Sequence, residues 1–193
     1  MAISIDDIKK LRAMTGAGLA DVKKALTEAE GDFDKAKELL RERGLAIAAK
    51  RSDRETSNGC VLVKSVNGFA AILALKCETD FVANGADFIA LTQSILDAAI
   101  AAKAADIEAV KTLDINGQTA QEAVTQRSGI TGEKMELDGY LTLEGDNIEV
   151  YNHMGKNTLC TMVQTNKPAA EQGHLVAMQV AAMKPVALAT RRA

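Results

Sequence analysis

The three cysteines and two histidines, which can act as nucleophiles or metal ligands, are spread along the 193-residue sequence: Cys60, Cys77, Cys160, His153 and His174. A structural zinc site needs four converging ligands, commonly in pairs with spacings such as CxxC. No CxxC occurs, and the interval from His153 to Cys160 is only a weak match to ligand spacing. We therefore expect no metal site.

The cysteines are also candidate nucleophiles. Each lies in an apolar stretch typical of a β-strand, where a thiol is usually buried and inert. A Cys–His pair that acts through Cys77 or Cys160 stays open as an alternative. That alternative predicts inactivation by alkylation of an exposed cysteine.

Glycine-rich phosphate-binding loops are missing, since neither GxxxxGK[ST] nor GxGxxG occurs. The TGAG stretch at residues 15–18 separates two helical patterns, where its glycines suit a helix C-terminus. The net charge is −3 and aromatic residues make up 3% of the chain. This composition lacks the basic and aromatic pattern of single-stranded nucleic-acid binding. The sequence predicts neither a bound nucleotide cofactor nor direct contact with nucleic acid.

The stretch CETDFVAN, Cys77 to Asn84, lies between an apolar run and a helical pattern. It places Phe81, one of four phenylalanines, beside Asp80. From residue type alone, a buried phenylalanine at a strand end is the favoured interpretation, because phenylalanine is mostly interior. Asp80 would then be a turn or helix-capping residue. The alternative is that the pair is displayed to another molecule.

The composition, with 47% hydrophobic and 25% charged residues, allows one medium domain or a small domain plus a larger one. No apolar run reaches the roughly 18 residues that cross a bilayer, and the N-terminus lacks the apolar region of a secretion signal. The odd number and wide spacing of the cysteines favour a reducing compartment. We therefore expect a cytoplasmic protein without membrane contact.

Residues 1–48 predict three short helices that must pack together, because helices of this length are not stable alone. Ser4 and Asp7 have capping-box spacing at the first helix, and Gly44 is predicted to end the third. Residues 49–59 are polar and charged and predict a linker. The apolar positions of the second helix recur at helical spacing and are Leu19, Val22, Leu26 and Ala29.

Residues 60–134 predict the first part of a larger core, which begins with a β-hairpin. Asn67-Gly68 between two apolar runs is the strongest short hairpin signal. A two-residue loop at this position pairs Val66 with Phe69 and Cys60 with Leu75. Cys60 and Cys77 are then not directly opposed, which favours two buried thiols over a disulfide.

A long helix at about residues 86–104 follows the hairpin, with Asn84 and Asp87 as its predicted cap pair. A shorter helix is predicted to end at Gly129. Residues 135–193 then predict three strands separated by turns and a final helix. The fold class is therefore α+β, with an antiparallel sheet core, packed helices and an N-terminal three-helix head.

Four stretches, in order, are similar to the elongation factor Ts family: LRAMTGAGLADVKKALTEAEGD at residues 11–32, CETDFVAN, YNHMGKNTLCTMV and HLVAMQVAAMKP. Together they make the sequence resemble bacterial elongation factor Ts over essentially all 193 residues. Val22 stands where the family often has cysteine, and Leu19 and Ala20 stand where methionines are common. Family members generally continue further, so the resemblance implies that the 135–193 subdomain is incomplete at its C-terminal end.

The resemblance implies that the head is similar to a ubiquitin-associated (UBA-like) domain. It also implies a guanine nucleotide exchange factor, not an enzyme, that binds the GTPase elongation factor Tu and promotes GDP release during translation elongation. A tip formed by Thr79, Asp80, Phe81 and Val82 would meet the GTPase near its Mg²⁺ and phosphate site, with Phe81 inserted between two helices. Further partner contacts would come from Arg12, Leu19 and His153, and no cofactor is implied.

A function of another class stays open beside this one. A UBA-like three-helix adaptor would recruit a ubiquitin-like or other protein, and the core would serve only as a scaffold. Such an adaptor predicts binding through the head alone and no change in the rate of GDP release. The oligomeric state of the chain is left open.

Overall fold

The computed structural model describes residues 3–187 and combines α-helices with antiparallel strands, which confirms the α+β class. None of the helices in this range has the length and apolar character needed to cross a membrane. In chain order the elements are α1 (Ile5–Thr15), α2 (Leu19–Glu28), α3 (Phe33–Ala49), β1 (Asn58–Val66), β2 (Phe69–Cys77), α4 (Asp80–Ala83), α5 (Ala86–Ala102), α6 (Ile107–Lys111), α7 (Ala120–Thr131), β3 (Met135–Glu144), β4 (Ile148–Asn152), β5 (Cys160–Gln164) and α8 (Ala170–Met183).

The head is a bundle of α1, α2 and α3. The predicted capping box is confirmed, because Ser4 Oγ accepts a hydrogen bond from Asp7 N and the Asp7 carboxylate accepts one from Ser4 N. Leu19, the first residue of α2, is 59% exposed and does not share the burial of Val22 and Leu26 on that helix. The buried side chains of the head are Leu11, Ala17, Val22, Ala25, Leu26, Ala29 and Ala36.

The core is built on a three-stranded sheet in the order β1-β2-β3. The predicted hairpin register is confirmed, with Val66 opposite Phe69 and Cys60 opposite Leu75. Helix α5 packs against β1 and β2 and buries Phe88. Cys77, like the other two cysteines, is a buried free thiol, which confirms the prediction of two buried thiols at Cys60 and Cys77.

A second, two-stranded sheet of β4 and β5 lies beside β1, and α8 packs on both of its strands. Val61 N donates a hydrogen bond to Asn157 O at 2.7 Å, which extends β1 toward this sheet. Thr161 Oγ1 donates to Ala177 O at 2.9 Å and ties β5 to α8. The first of these contacts joins the 135–187 part of the chain to the hairpin.

Two predicted helix ends are wrong, and both errors have one cause. Helix α3 continues past Gly44 to Ala49, and α7 continues past Gly129 to Thr131. The two glycines face each other where α3 and α7 pack together. A Cβ at Gly129 would lie 2.6 Å from the Gly44 Cα, so this glycine permits close approach of two helices and does not end one.

The segment predicted as a linker, residues 49–59, is partly built into the core. Asn58 and Gly59 already belong to β1. Thr56 is buried, and its Oγ1 donates to Glu136 Oε2 at 2.6 Å, a charge-assisted hydrogen bond. The division of the chain at this segment into a head of residues 1–48 and a core stays a prediction.

The α3–α7 crossing predicts opposite effects for the same substitution at its two glycines. Gly129→Ala should lower the free energy of unfolding by about 1–3 kcal/mol, because the added methyl group overpacks the helix contact. Gly44→Ala is the matched control, since its Cβ would meet no atom closer than 3.8 Å. This control should be neutral or stabilising by up to about 1 kcal/mol, from helix propensity alone.

Urea unfolding followed by circular dichroism measures both free energies. Equal stability of the two variants would contradict the close approach of α3 and α7 at Gly129.

Candidate protein-binding site

Phe81 lies on α4, a one-turn helix that follows β2 almost directly. Its side chain is 87% exposed, whereas Phe88 on the next helix is 2% exposed. The interpretation of Phe81 as a buried strand-end residue is therefore wrong. Burial of a phenylalanine side chain stabilises by about 1.5–3 kcal/mol. The exposed Phe81 ring would gain free energy of this size if another molecule covered it.

The backbone of the tip, residues Thr79 to Val82, is fixed by local hydrogen bonds. Thr79 is the N-cap of α4, and its Oγ1 accepts from Val82 N at 3.3 Å. Ala83 N donates to Thr79 O at 3.1 Å and closes the turn. Thr79 and Asp80 are exposed, while Val82 packs against the core. The turn therefore presents Asp80 and Phe81 outward and uses Val82 as its inner anchor.

Asn84 and Asp87 do not form the cap pair predicted for the long helix. Asn84 belongs to the C-terminus of α4, where its Nδ2 donates to Asp80 O at 2.8 Å. The N-cap of α5 is Gly85, which has no capping side chain. Asp87 instead binds Arg127 of α7, with 2.7 Å between Oδ2 and Nη2. The one-turn helix α4 therefore uses Asn84, which the sequence pattern assigned to its neighbour.

An open groove of about 720 Å³ adjoins Phe81, and Arg127 forms part of its wall. The Arg127 side chain is 16% exposed, and its burial lowers the pKa of the guanidinium from the usual value. Arg127 was not identified from the sequence, because the acid that it pairs with lies on a different helix. The groove is lined by Asp80, Phe81, Val82, Asn84, Gly85, Ala86, Asp87, Phe88, Arg127 and Thr131.

The turn between α1 and α2 carries the two head residues singled out by the resemblance. Arg12 in the last turn of α1 and Leu19 at the start of α2 are both exposed. Met14, which the sequence reasoning missed, is 54% exposed beside them. The turn borders the same arginine as the tip, since Gly16 and Arg127 line one groove of about 340 Å³. The head turn and the tip therefore lie on either side of Arg127.

His153 directly follows β4, in a short 3-10 turn. Its Nδ1 is 3.1 Å from the hydroxyl oxygen of Tyr151. The Tyr151 ring also meets the ring of His174 edge-on, with 5.6 Å between centroids. The loop that follows His153 approaches the tip, because Thr158 and Asp80 line a common groove. The Tyr151 ring meets the His153 ring edge-on as well, with 5.8 Å between centroids.

The cysteines offer no accessible nucleophile. Burial raises the pKa of the Cys77 thiol to about 11 and that of Cys160 to about 12. It also raises the pKa of Cys60. Since the thiolate is the reactive form, these values disfavour the alternative of a Cys–His enzyme. Among residues 3–187, no group of three or more His, Cys, Asp or Glu side chains is arranged to hold a metal ion.

The sequence profile of the family described as Elongation factor TS matches residues 78–192, a range that begins at the end of β2 and includes the tip. Elongation factor Ts of Bacteroides fragilis is 63% identical over 189 residues, which cover 97% of this chain and 57% of that protein. Elongation factor Ts of Parabacteroides distasonis is 61% identical over 188 residues, with the same coverage.

Elongation factor Ts of Porphyromonas gingivalis is 50% identical over 190 residues, which cover 97% of this chain and 69% of that protein. The chain therefore spans about 57% of the length of the first two relatives and somewhat more of the third. The profile and these relatives agree with the resemblance seen in the four sequence stretches. The chain belongs to the elongation factor Ts family.

Proposed function

We propose that this chain is a guanine nucleotide exchange factor that acts on the GTPase elongation factor Tu in the cytoplasm during translation elongation. The observation that carries the proposal is the 87% exposure of Phe81 on a one-turn helix at the family's TDFV motif. A desolvated aromatic side chain at the centre of an interface is a typical binding hot spot. The buried thiols support a binding role over an enzymatic one.

In this proposal, Phe81 inserts between two helices of the GTPase, and Asp80 forms a hydrogen bond beside it. The displaced helix moves groups that support Mg²⁺ and the phosphate-binding loop. Mg²⁺ requires near-ideal octahedral geometry, so a small displacement of its surroundings weakens its binding. Thr79 and Val82 complete the tip by capping and anchoring the turn.

Exchange then follows from thermodynamic linkage. The factor stabilises a conformation of the GTPase that holds GDP and Mg²⁺ poorly, so factor and nucleotide weaken each other by the same free energy. Coupling free energies of about 1–3 kcal/mol change affinity by about 5–150-fold. Burial of one phenylalanine, worth about 1.5–3 kcal/mol, is of the same size. The free energy needed for coupling is therefore available from the single exposed ring.

Arg12, Leu19 and His153 are proposed as further contacts with the GTPase. Arg12 and Leu19 flank the turn between α1 and α2, and Leu19 offers an apolar side chain that is 59% exposed. Arg12 and Leu19 would contact the nucleotide-binding domain of the GTPase. Such contacts fix the orientation in which the tip approaches.

Phe81→Ala should retain the fold, because substitution of an exposed residue usually changes stability by less than about 0.5 kcal/mol. It should lose at least ~2 kcal/mol of interface free energy, about 30-fold in affinity, as expected of a hot spot. Stopped-flow release of labelled GDP from elongation factor Tu measures the effect. Leu141→Ala, at a residue 66% exposed on β3, is the matched control and should accelerate release like the unchanged chain.

Wild-type acceleration of GDP release by Phe81→Ala would contradict the role assigned to the tip. A parent chain that binds the GTPase without accelerating release would favour the adaptor alternative.

Arg12→Ala and Leu19→Ala should each weaken binding by about 5-fold, the modest cost typical of contacts outside the centre of an interface. Isothermal titration calorimetry with GDP-bound elongation factor Tu measures the affinity. Ile5→Ala, at a residue 71% exposed at the other end of α1, is the control and should bind normally. Unchanged affinity in both test variants would exclude the head turn from the interface.

A further inference from the structure

We infer that Glu133 is a positioning residue that holds the tip in its outward orientation. The inference rests on the proposed function for its consequence in exchange, but its structural basis is independent of any partner. Glu133 lies between the end of α7 and the start of β3, outside the family motif that contains Phe81. Its carboxylate is nevertheless hydrogen-bonded to the residues that begin α4.

The carboxylate of Glu133 accepts three hydrogen bonds from two adjacent residues. Its Oε2 accepts from Glu78 N and from Thr79 N, each at 3.1 Å. Its Oε1 accepts from Thr79 Oγ1 at 2.6 Å. Hydrogen bonds to an ionised acceptor are about twice as strong as neutral ones, so these contacts tie the start of the tip to the segment that carries Glu133.

The position of these bonds explains why they are needed. The β2–β3 ladder ends at the pair Cys77 and Met135, so the backbone of residues 78–79 has left the sheet. The amides of that segment therefore lack strand partners, and the Glu133 carboxylate accepts from them instead. The two segments bond each other in both directions, because Glu78 Oε1 also accepts a hydrogen bond from Lys134 N at 2.6 Å.

Thr79 transmits the constraint from Glu133 to α4. Its hydroxyl donates to Glu133 Oε1 and accepts from Val82 N. A hydroxyl group has one hydrogen to donate. Because Thr79 donates that hydrogen to Glu133, its oxygen lone pairs stay free to accept from Val82 N. Phe81 lies within the turn that this chain of bonds closes, although Glu133 itself does not contact its ring.

Glu133 is in turn fixed to the end of α7. Its N donates to Thr131 Oγ1 at 3.2 Å, and its carbonyl oxygen accepts from Ser128 Oγ. The buried hydroxyl of Ser128 thereby anchors the segment that carries the carboxylate. Because a helix of four residues is too short to be stable alone, the tip depends on this external support.

Glu133→Ala should leave the core folded while the tip becomes disordered in the free chain. Amide hydrogen exchange at Val82 and Ala83 should accelerate about tenfold or more, while exchange at the buried Leu96 should not change. Glu144→Ala is the matched control, because it removes a glutamate that pairs with Lys103 at the far end of β3. It should change none of these rates.

In the exchange assay, disorder of the tip reduces the fraction of chains that are competent to bind. If that fraction falls to about one tenth, the concentration of the variant that gives half-maximal acceleration of GDP release rises about tenfold. The maximal rate of GDP release at saturation should stay the same, since Phe81 is still present. Glu133→Gln keeps one acceptor oxygen and should show a smaller increase.

A double variant separates positioning through Phe81 from a general structural role. If Glu133 acts through Phe81, Glu133→Ala in a Phe81→Ala background should add little further loss of exchange activity. Full additivity of the two losses would overturn the inference. The inference would also be overturned if Glu133→Ala left amide hydrogen exchange at Val82 and Ala83 unchanged, or if it accelerated hydrogen exchange at Leu96 equally.

The two proposals can fail separately. If Phe81→Ala has no effect on GDP release, the proposed function fails, while hydrogen exchange at Val82 and Ala83 still tests Glu133. If Glu133→Ala does not fold, Glu133→Gln carries the same measurements. If hydrogen exchange at Val82 and Ala83 in folded Glu133→Gln were as slow as in the unchanged chain, the inference would be overturned.

Discussion

The site depends on keeping one aromatic ring in water. Phe81 would gain free energy on burial, yet it is 87% exposed, and the helix that carries it has only one turn. Neither the side chain nor the helix is stable in this arrangement by itself. The ring is held outward because the backbone around it is bound at several points. Thr79 caps the turn, and Val82 packs against the core. The Glu133 carboxylate accepts hydrogen bonds from the two amides that follow the last paired residue of β2. In the proposed complex, a ring held in this way would already have its bound orientation, so less ordering entropy would be lost on binding.

Helix α7 is the element through which the parts of the site are connected. Arg127 binds Asp87 just beyond the tip, Gly129 contacts α3 of the head, and Glu133 follows the helix and binds the start of α4. These three contacts fall within seven positions of the sequence. The head and the tip are therefore both in contact with this one segment. The groove beside Phe81 and the groove beside Gly16 accordingly share Arg127 as a wall.

Local rules predicted much of the fold, and the errors at Gly44 and Gly129 arose where a distant partner decides the structure. The hairpin register followed from the Asn-Gly loop, and the first helix cap followed from its capping box. Gly44 and Gly129 were predicted as helix ends because a sequence does not show that a second helix approaches. Exposure of Phe81 could be expected only from the family resemblance, since residue type favours burial. No sequence pattern marked Glu133, because the two amides that donate hydrogen bonds to its carboxylate lie 54 and 55 residues earlier.

The central claim, that the Phe81 side chain is exposed in the free chain and becomes buried against the GTPase, can be measured with a single reporter. The chain contains no tryptophan, so Phe81→Trp introduces the only one. Acrylamide quenching and the emission maximum are recorded for the free chain and for its complex with GDP-bound elongation factor Tu, after subtraction of the emission of the GTPase. We expect water-like emission and full quenching in the free chain, then a shift to shorter wavelength and protection from acrylamide in the complex. A tryptophan shielded in the free chain, or one quenched equally with and without the bound GTPase, would contradict the account.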